Sequence, residues 1–141
     1  TLEISAYAFA ECDKLAAVNL GNSLTTIGEK TFWGCTALTE VTLPATVETI
    51  GDAAFWGCTA LTAVEFPESV KNIGTLAYYN CTGIQSIKFS KDDITIGDYA
   101  FVTDGSTLKD KIDVSNLAEG SKVLEYVNAI AEPTETEAPE A

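Results

Sequence analysis

The sequence predicts an α/β repeat solenoid, in which short parallel strands alternate with short helical turns, and three sets of residues predict it. Cys12, Cys35, Cys58 and Cys81 recur every 23 residues, and Phe9, Phe32, Phe55, Tyr78 and Phe101 keep the same step. Ile4, Ile27, Ile50, Ile73 and Ile96 form an apolar column, followed directly by Ser5, Gly28, Gly51, Gly74 and Gly97. Leu15, Leu38, Leu61 and Ile84 lead in turn to Val18, Val41, Val64 and Ile87, and then to Leu20, Leu43, Phe66 and Phe89. A fixed period of this length marks units that cannot bury an apolar edge alone and must stack.

Each coil can be followed in order. Val41 and Leu43 are two apart and share the inner face of a strand, so Glu40 and Thr42 point to solvent. Pro44 and Pro67 close their strands, because proline cannot donate the next ladder bond. Val47 and Ile50 bring the chain back to the core through a second short extended segment. Residues 51–57 then read as one or two helical turns, with Asp52 suited to the amino-terminal end and Ala54 and Phe55 packing inward. Gly34, Gly57 and Asn80 stand just before a cysteine and are types that tolerate a left-handed backbone, so a positive φ is expected at each.

Stacked about 4.8 Å apart, such coils bury a continuous core between the strand side and the helical side. Residues 1–104 hold four complete periods and a partial one. Residues 105–131 read as a degenerate last repeat and C-terminal cap: Asp104 stands where a cysteine is due, Thr107 where a leucine is due and Asp110 where a valine is due. Decay toward a polar outer face is what a terminal repeat requires. Residues 132–141 are acidic, proline-bearing and free of apolar anchors, which reads as a Pro/Thr linker to a further module or as a tail without a partner. The chain opens at Thr1 in mid-pattern and has no methionine, as expected of a processed chain.

The columns spell L-x-x-V-x-L, and residues 27–73 spell IG-x-x-A-F-x-G-C-T-x-L-T-x-V-x-x-P-x-x-V-x-x-I. This pattern resembles the BspA-like leucine-rich repeats of bacterial and protist surface proteins over about three quarters of the chain. The resemblance implies a leucine-rich-repeat right-handed superhelix and a secreted or cell-surface module, with no catalytic residues to carry over. Residues 111–114 and 120–126 also resemble the usual ending of such arrays, a last strand and a short capping helix. Leu117, Val123, Leu124 and Val127 could then cover the open end of the stack.

Composition narrows the function. With 21 acidic residues against 8 lysines, no arginine and a net charge of −13, the chain offers no counterion release to a polyanion, and nucleic acid is not expected as a partner. No apolar run reaches the roughly 20 residues that cross a bilayer, so no membrane insertion is expected. Histidine is absent, and no serine or cysteine has a candidate base at plausible spacing, so no catalytic site, metal or cofactor is expected. The cysteines read as free, buried thiols pointing in parallel, in preference to disulfides or zinc ligands. Asp92-Asp93 beside Lys91 reads as a solvated corner, and Asn80-Cys81-Thr82 matches a glycosylation acceptor whose asparagine already has a structural reason to be there.

Two surfaces remain as candidate binding sites. One is the outer face of the strand ladder, where Ala17, Glu40, Ala63 and Ser86 lie beside Asn19, Thr42, Glu65 and Lys88. The other is the column Trp33, Trp56 and Tyr79, one residue after the core aromatics and so expected to turn partly outward. Such aromatics could stack on sugar rings or anchor a protein, or they could only shield the turns. The expected function is a non-catalytic extracellular protein-binding or adhesion module, acting as a monomer on a protein ligand. The alternative is a glycan-binding or spacing module within a larger secreted protein.

Overall fold

The computed structural model describes residues 2–130, so the proposed linker at 132–141 lies outside the described residues. In chain order the strands of the stack are β1 (Leu2–Ile4), β2 (Ala17–Val18), β3 (Leu24–Ile27), β4 (Glu40–Val41), β5 (Thr49–Ile50), β6 (Ala63–Phe66), β7 (Asn72–Ile73), β8 (Ser86–Phe89) and β9 (Thr95–Ile96). They alternate between two sides. The odd-numbered strands form one five-stranded sheet in the order β1-β3-β5-β7-β9. Its pairing is parallel and brings Ile4, Ile27, Ile50, Ile73 and Ile96 into line, so neighbouring strands are one 23-residue coil apart. The molecule is a leucine-rich-repeat-type β-solenoid of about four turns.

The continuous sheet is therefore built from the second extended segment of each coil. The L-x-x-V-x-L side forms two separate ladders, β2 with β4 and β6 with β8. Proline accounts for the difference in their lengths. Ser90 follows β8 and donates its N–H to the Phe66 carbonyl at 3.0 Å, closing a ladder four residues long. Pro67 and Pro44 occupy the same place one and two coils earlier and have no N–H to give. The β2–β4 ladder is two residues long, and β4 and β6 are not paired at all.

Residues 51–57, for which the sequence predicts helical turns, form successive tight turns instead. Ala54 and Trp56 donate to the carbonyls of Gly51 and Ala53, three residues back, whereas Ala53, Phe55 and Gly57 donate to Thr75, Ala77 and Tyr79 in the next coil. A helix keeps all its interior amides within its own segment; here alternate amides hold the neighbouring coil. Ala53 at φ 54° and Gly57 at φ 76° are left-handed, which a right-handed helix excludes. The positive φ expected at Gly34, Gly57 and Asn80 is present, and a second column of it runs through Tyr7, Lys30, Ala53, Leu76 and Tyr99.

The core lies between the two sides. Phe9, Phe32, Phe55, Tyr78 and Phe101 stack near-parallel with successive centroids 5.5, 5.2, 4.9 and 5.5 Å apart. Each such contact adds about 1 kcal/mol to what burial of the rings contributes. The glycine column has a different cause. A Cβ on Gly51 would lie 2.7 Å from the nitrogen of Glu29 and from the carbonyl carbon of Gly28, so only glycine lets the coils approach. Ser5 holds this place in the first described coil.

All four cysteines are free, with Cys12 exposed and the other three buried. Cys35, Cys58 and Cys81 each donate Sγ–H to a carbonyl of the preceding coil, Phe9, Phe32 and Phe55 respectively, at 3.1, 3.2 and 3.0 Å. The column is thus hydrogen-bonded across coils as well as packed.

After β9 the repeat gives way to an antiparallel hairpin of β10 (Val102–Thr103) and β11 (Ser106–Thr107), a 3-10 turn at Lys109–Lys111 and the helix α1 (Lys122–Ala129). Residues 111–114, expected as a last strand, contribute a single parallel bridge from Ile112 to Ile87. Ser121 caps α1 by accepting the Leu124 N–H at 3.1 Å. Val123 and Val127 are buried under the stack, and the Tyr126 hydroxyl accepts the Phe101 N–H at 3.3 Å. The Asp92-Asp93 corner fastens this segment. Asp92 accepts the Ala118 N–H at 3.1 Å, and Asp93 pairs with Lys122 at 3.1 Å.

Candidate functional site

The strand face carries the first candidate set. Glu40, Thr42, Glu65 and Lys88 are all exposed, because alternation places Val41, Leu43, Val64 and Phe66 on the core side. Glu65 lies beside Lys88 in the β6–β8 register. The ion pairs of the described residues lie elsewhere, Lys71–Glu48 and Lys122–Asp93, so Glu40 and Glu65 carry charges without a salt-bridge partner.

Where β4 and β6 fail to pair, a crevice of about 390 Å³ opens on this face, lined by Glu40, Thr42, Leu43, Ala63, Glu65 and Pro67 among others. Its floor is apolar and its rim carries two carboxylates. The strand face is concave here. Sequence reasoning found Glu40, Thr42 and Glu65 but not the crevice. The signal was the column Pro44, Pro67 and Ser90, in which Ser90 alone has a donor.

The aromatic column divides. Trp33 and Trp56 are half-buried, and with Glu11, Asp13 and Thr36 they line a second concavity of about 460 Å³. Tyr79, expected to turn partly outward with them, is buried at 1% exposure. The reason is a partner outside its own coil: its hydroxyl donates to Asp104 Oδ1 at 2.7 Å, and its ring packs on Trp56 with centroids 4.8 Å apart. Burial, and then the hydrogen bond to Asp104, push the Tyr79 pKa up to about 12. Tyr79 is a packing residue. Glu11, Asp13 and Thr36 come from turns of the first two coils, and only the stacking of those coils brings them to the indoles.

Apart from Asp113, an exposed carboxyl that hydrogen bonds from Ser115 hold below its usual range, the remaining perturbed groups are interior. Burial pushes the Cys35 thiol up to about 11 and those of Cys81 and of the Tyr78 phenol well above their usual values. A raised thiol pKa disfavours the reactive thiolate. No helix among the described residues is long and apolar enough to cross a membrane.

Comparison with known proteins agrees with this architecture. The sequence model of the BspA type leucine rich repeat region matches residues 2–119 in 6 copies. A leucine-rich repeat protein of T. pallidum has a solved structure that superposes with a TM-score of 0.68 at 30% identity, over 72% of this chain and 47% of that one. A leucine-rich repeat protein from Bacteroides ovatus superposes with a TM-score of 0.65 at 25% identity, over 70% of this chain and 26% of that one. The chain thus spans less than half the length of either protein. A search of curated protein sequences returns no match.

Proposed function

Starting from the fact that the chain belongs to the BspA-type leucine-rich repeat family, we propose that it is a non-catalytic protein-binding or adhesion module of a bacterial cell-surface or secreted protein. The observation that carries this reading is the crevice between β4 and β6, the concave place on the strand face. Solenoids use such a face because the repeated coils hold many side chains rigidly on one surface. In this reading the chain acts as a monomer outside the cell, and α1 serves as the end cap of the stack. An immobilised panel of extracellular matrix proteins, probed with the parent and with Thr42→Arg, tests it. Saturable binding that Thr42→Arg weakens while circular dichroism stays unchanged is the expected result. Binding that ignores the strand face, or none at all, removes the proposal.

The concavity at Trp33 and Trp56 favours a second reading, a glycan-binding module. Indole faces pack on the C–H face of a pyranose, and the Glu11 and Asp13 carboxylates can accept from its hydroxyls. Binding on a glycan panel that is lost in the Trp33→Ala, Trp56→Ala double variant would select this reading over the first.

A further inference from the structure

We infer that the crevice between β4 and β6 receives a lysine or arginine side chain from an extended segment of the partner protein. The inference rests on the adhesion reading and names the chemistry of its partner. Three features of the crevice converge on that occupant.

The first is charge. Glu40 on one coil and Glu65 on the next both line the crevice and neither forms a salt bridge; Lys88 lies beside Glu65 on the far side, away from the crevice, and Glu40 has no lysine beside it in its ladder. Two carboxylates held on opposite coils of a rigid stack attract one cation placed between them, in a chain whose net charge of −13 already draws cations toward it. The second is the floor. Val41, Leu43 and Ala63 offer apolar surface below the carboxylates. A long cationic side chain has this same order of parts, a methylene stem ending in a charged head. A small ammonium ion would leave the floor unused, and a neutral apolar residue would leave Glu40 uncompensated.

The third is backbone. β4 pairs only with β2 and β6 only with β8, so the edges that face each other across the crevice have no strand between them. Pro67 withholds the bond that Ser90 supplies one coil later. A segment lying over the crevice in extended conformation can reach the backbone groups left unpaired at this step between coils. An extended backbone also sends alternate side chains downward, so one of them enters the crevice.

The test uses the 141-residue chain and a short labelled peptide alternating threonine and lysine, with the same peptide acetylated on its lysines as control. Saturable binding of the lysine peptide is expected, weakened about tenfold or more by acetylation and by the Glu40→Gln, Glu65→Gln double variant. Asp110→Asn with Glu119→Gln removes the same charge elsewhere, at exposed carboxylates outside both concavities, and should leave binding unchanged. Pro67→Ser keeps both carboxylates but restores the donor that extends the ladder, and weaker binding is expected of it as well. Absence of saturable binding, an equal effect of the two charge-removing variants, or full binding by Pro67→Ser would each overturn the inference. Its failure is separable from that of the adhesion reading. If a matrix protein binds the parent, is lost in Thr42→Arg and is indifferent to Glu40→Gln, Glu65→Gln, adhesion stands and the cationic occupant falls. If the peptide binds as expected and no matrix protein does, the occupant stands and adhesion falls.

Discussion

The hydroxyl of Tyr79 donates to Asp104 Oδ1 at 2.7 Å across a coil boundary, and Asp104 stands where the repeat calls for a fifth cysteine. The departure is a lock. Asn80 Nδ2 donates to the other carboxylate oxygen at 3.1 Å, and the Asp104 N–H returns a bond to Asn80 Oδ1 at 2.7 Å. Tyr79→Phe removes one bond from a buried ring and should cost about 1–2 kcal/mol in urea unfolding at constant m. Asp104→Ala removes both bonds that the carboxylate accepts and leaves only the backbone N–H bond to Asn80, so its urea midpoint should fall further than that of Tyr79→Phe. Equal midpoints would show that the carboxylate does nothing beyond accepting from the tyrosine.

The interior thiols and phenols make the fold sensitive to alkali. Cys35 is raised to about 11 and Tyr79 and Tyr126 to about 12, all chiefly by burial. Between the ordinary and the raised pKa the unfolded chain has lost protons that the folded chain retains, so stability falls as pH rises. It is fully present below about pH 8.5 and is lost progressively toward about pH 12. Urea midpoints measured from pH 7 upward should be flat and then decline through that window. A decline that begins below pH 8 would require a different group.

Two glycines six residues apart should respond differently to alanine. At Gly51 a methyl meets backbone of the preceding coil within 2.7 Å, and overpacking should cost about 2–3 kcal/mol. At Gly57 the nearest atom is 3.9 Å away, so only the left-handed φ of 76° opposes the methyl, at about 1 kcal/mol. Thermal or urea unfolding of both variants decides between these causes, and a reversed order would refute the close-approach account.

A thiol reagent should count the coils' exposure directly. Cys12 is exposed whereas Cys35, Cys58 and Cys81 are buried and bonded to carbonyls. One thiol should react rapidly in the native protein and all four in denaturant. Rapid reaction of more than one in the folded state would mean that the cysteine column opens.

The inward residues were legible because each coil repeats them. Phe32, Phe55 and Phe101 are fully buried, as their 23-residue spacing requires, and Gly34, Gly57 and Asn80 have the left-handed backbone their side chains allow. What could not be read depends on the coil next door. Lys30, Ala53 and Leu76 carry positive φ without any compositional sign of it, because inter-coil amides and not side-chain freedom hold them there. That column is what turns an expected helix into stacked turns. Tyr79 looked equivalent to Trp33 and Trp56 until Asp104, 25 residues later, supplied a partner for its hydroxyl. The crevice was half visible, since Glu40 and Glu65 were identified, but the gap between them follows from which strand ends can donate.

The alternating amides of the turn segments have a mechanical meaning. Ala53, Phe55 and Gly57 spend their hydrogen bonds on the following coil, so a coil detached from its neighbour loses order on its turn side as well as on its sheet side. Under tension along the solenoid axis the chain would therefore give way one whole period at a time from an end. Each event would release up to about 80 Å of extended polypeptide. A solenoid of this kind lengthens in large, discrete increments while its remaining turns stay intact.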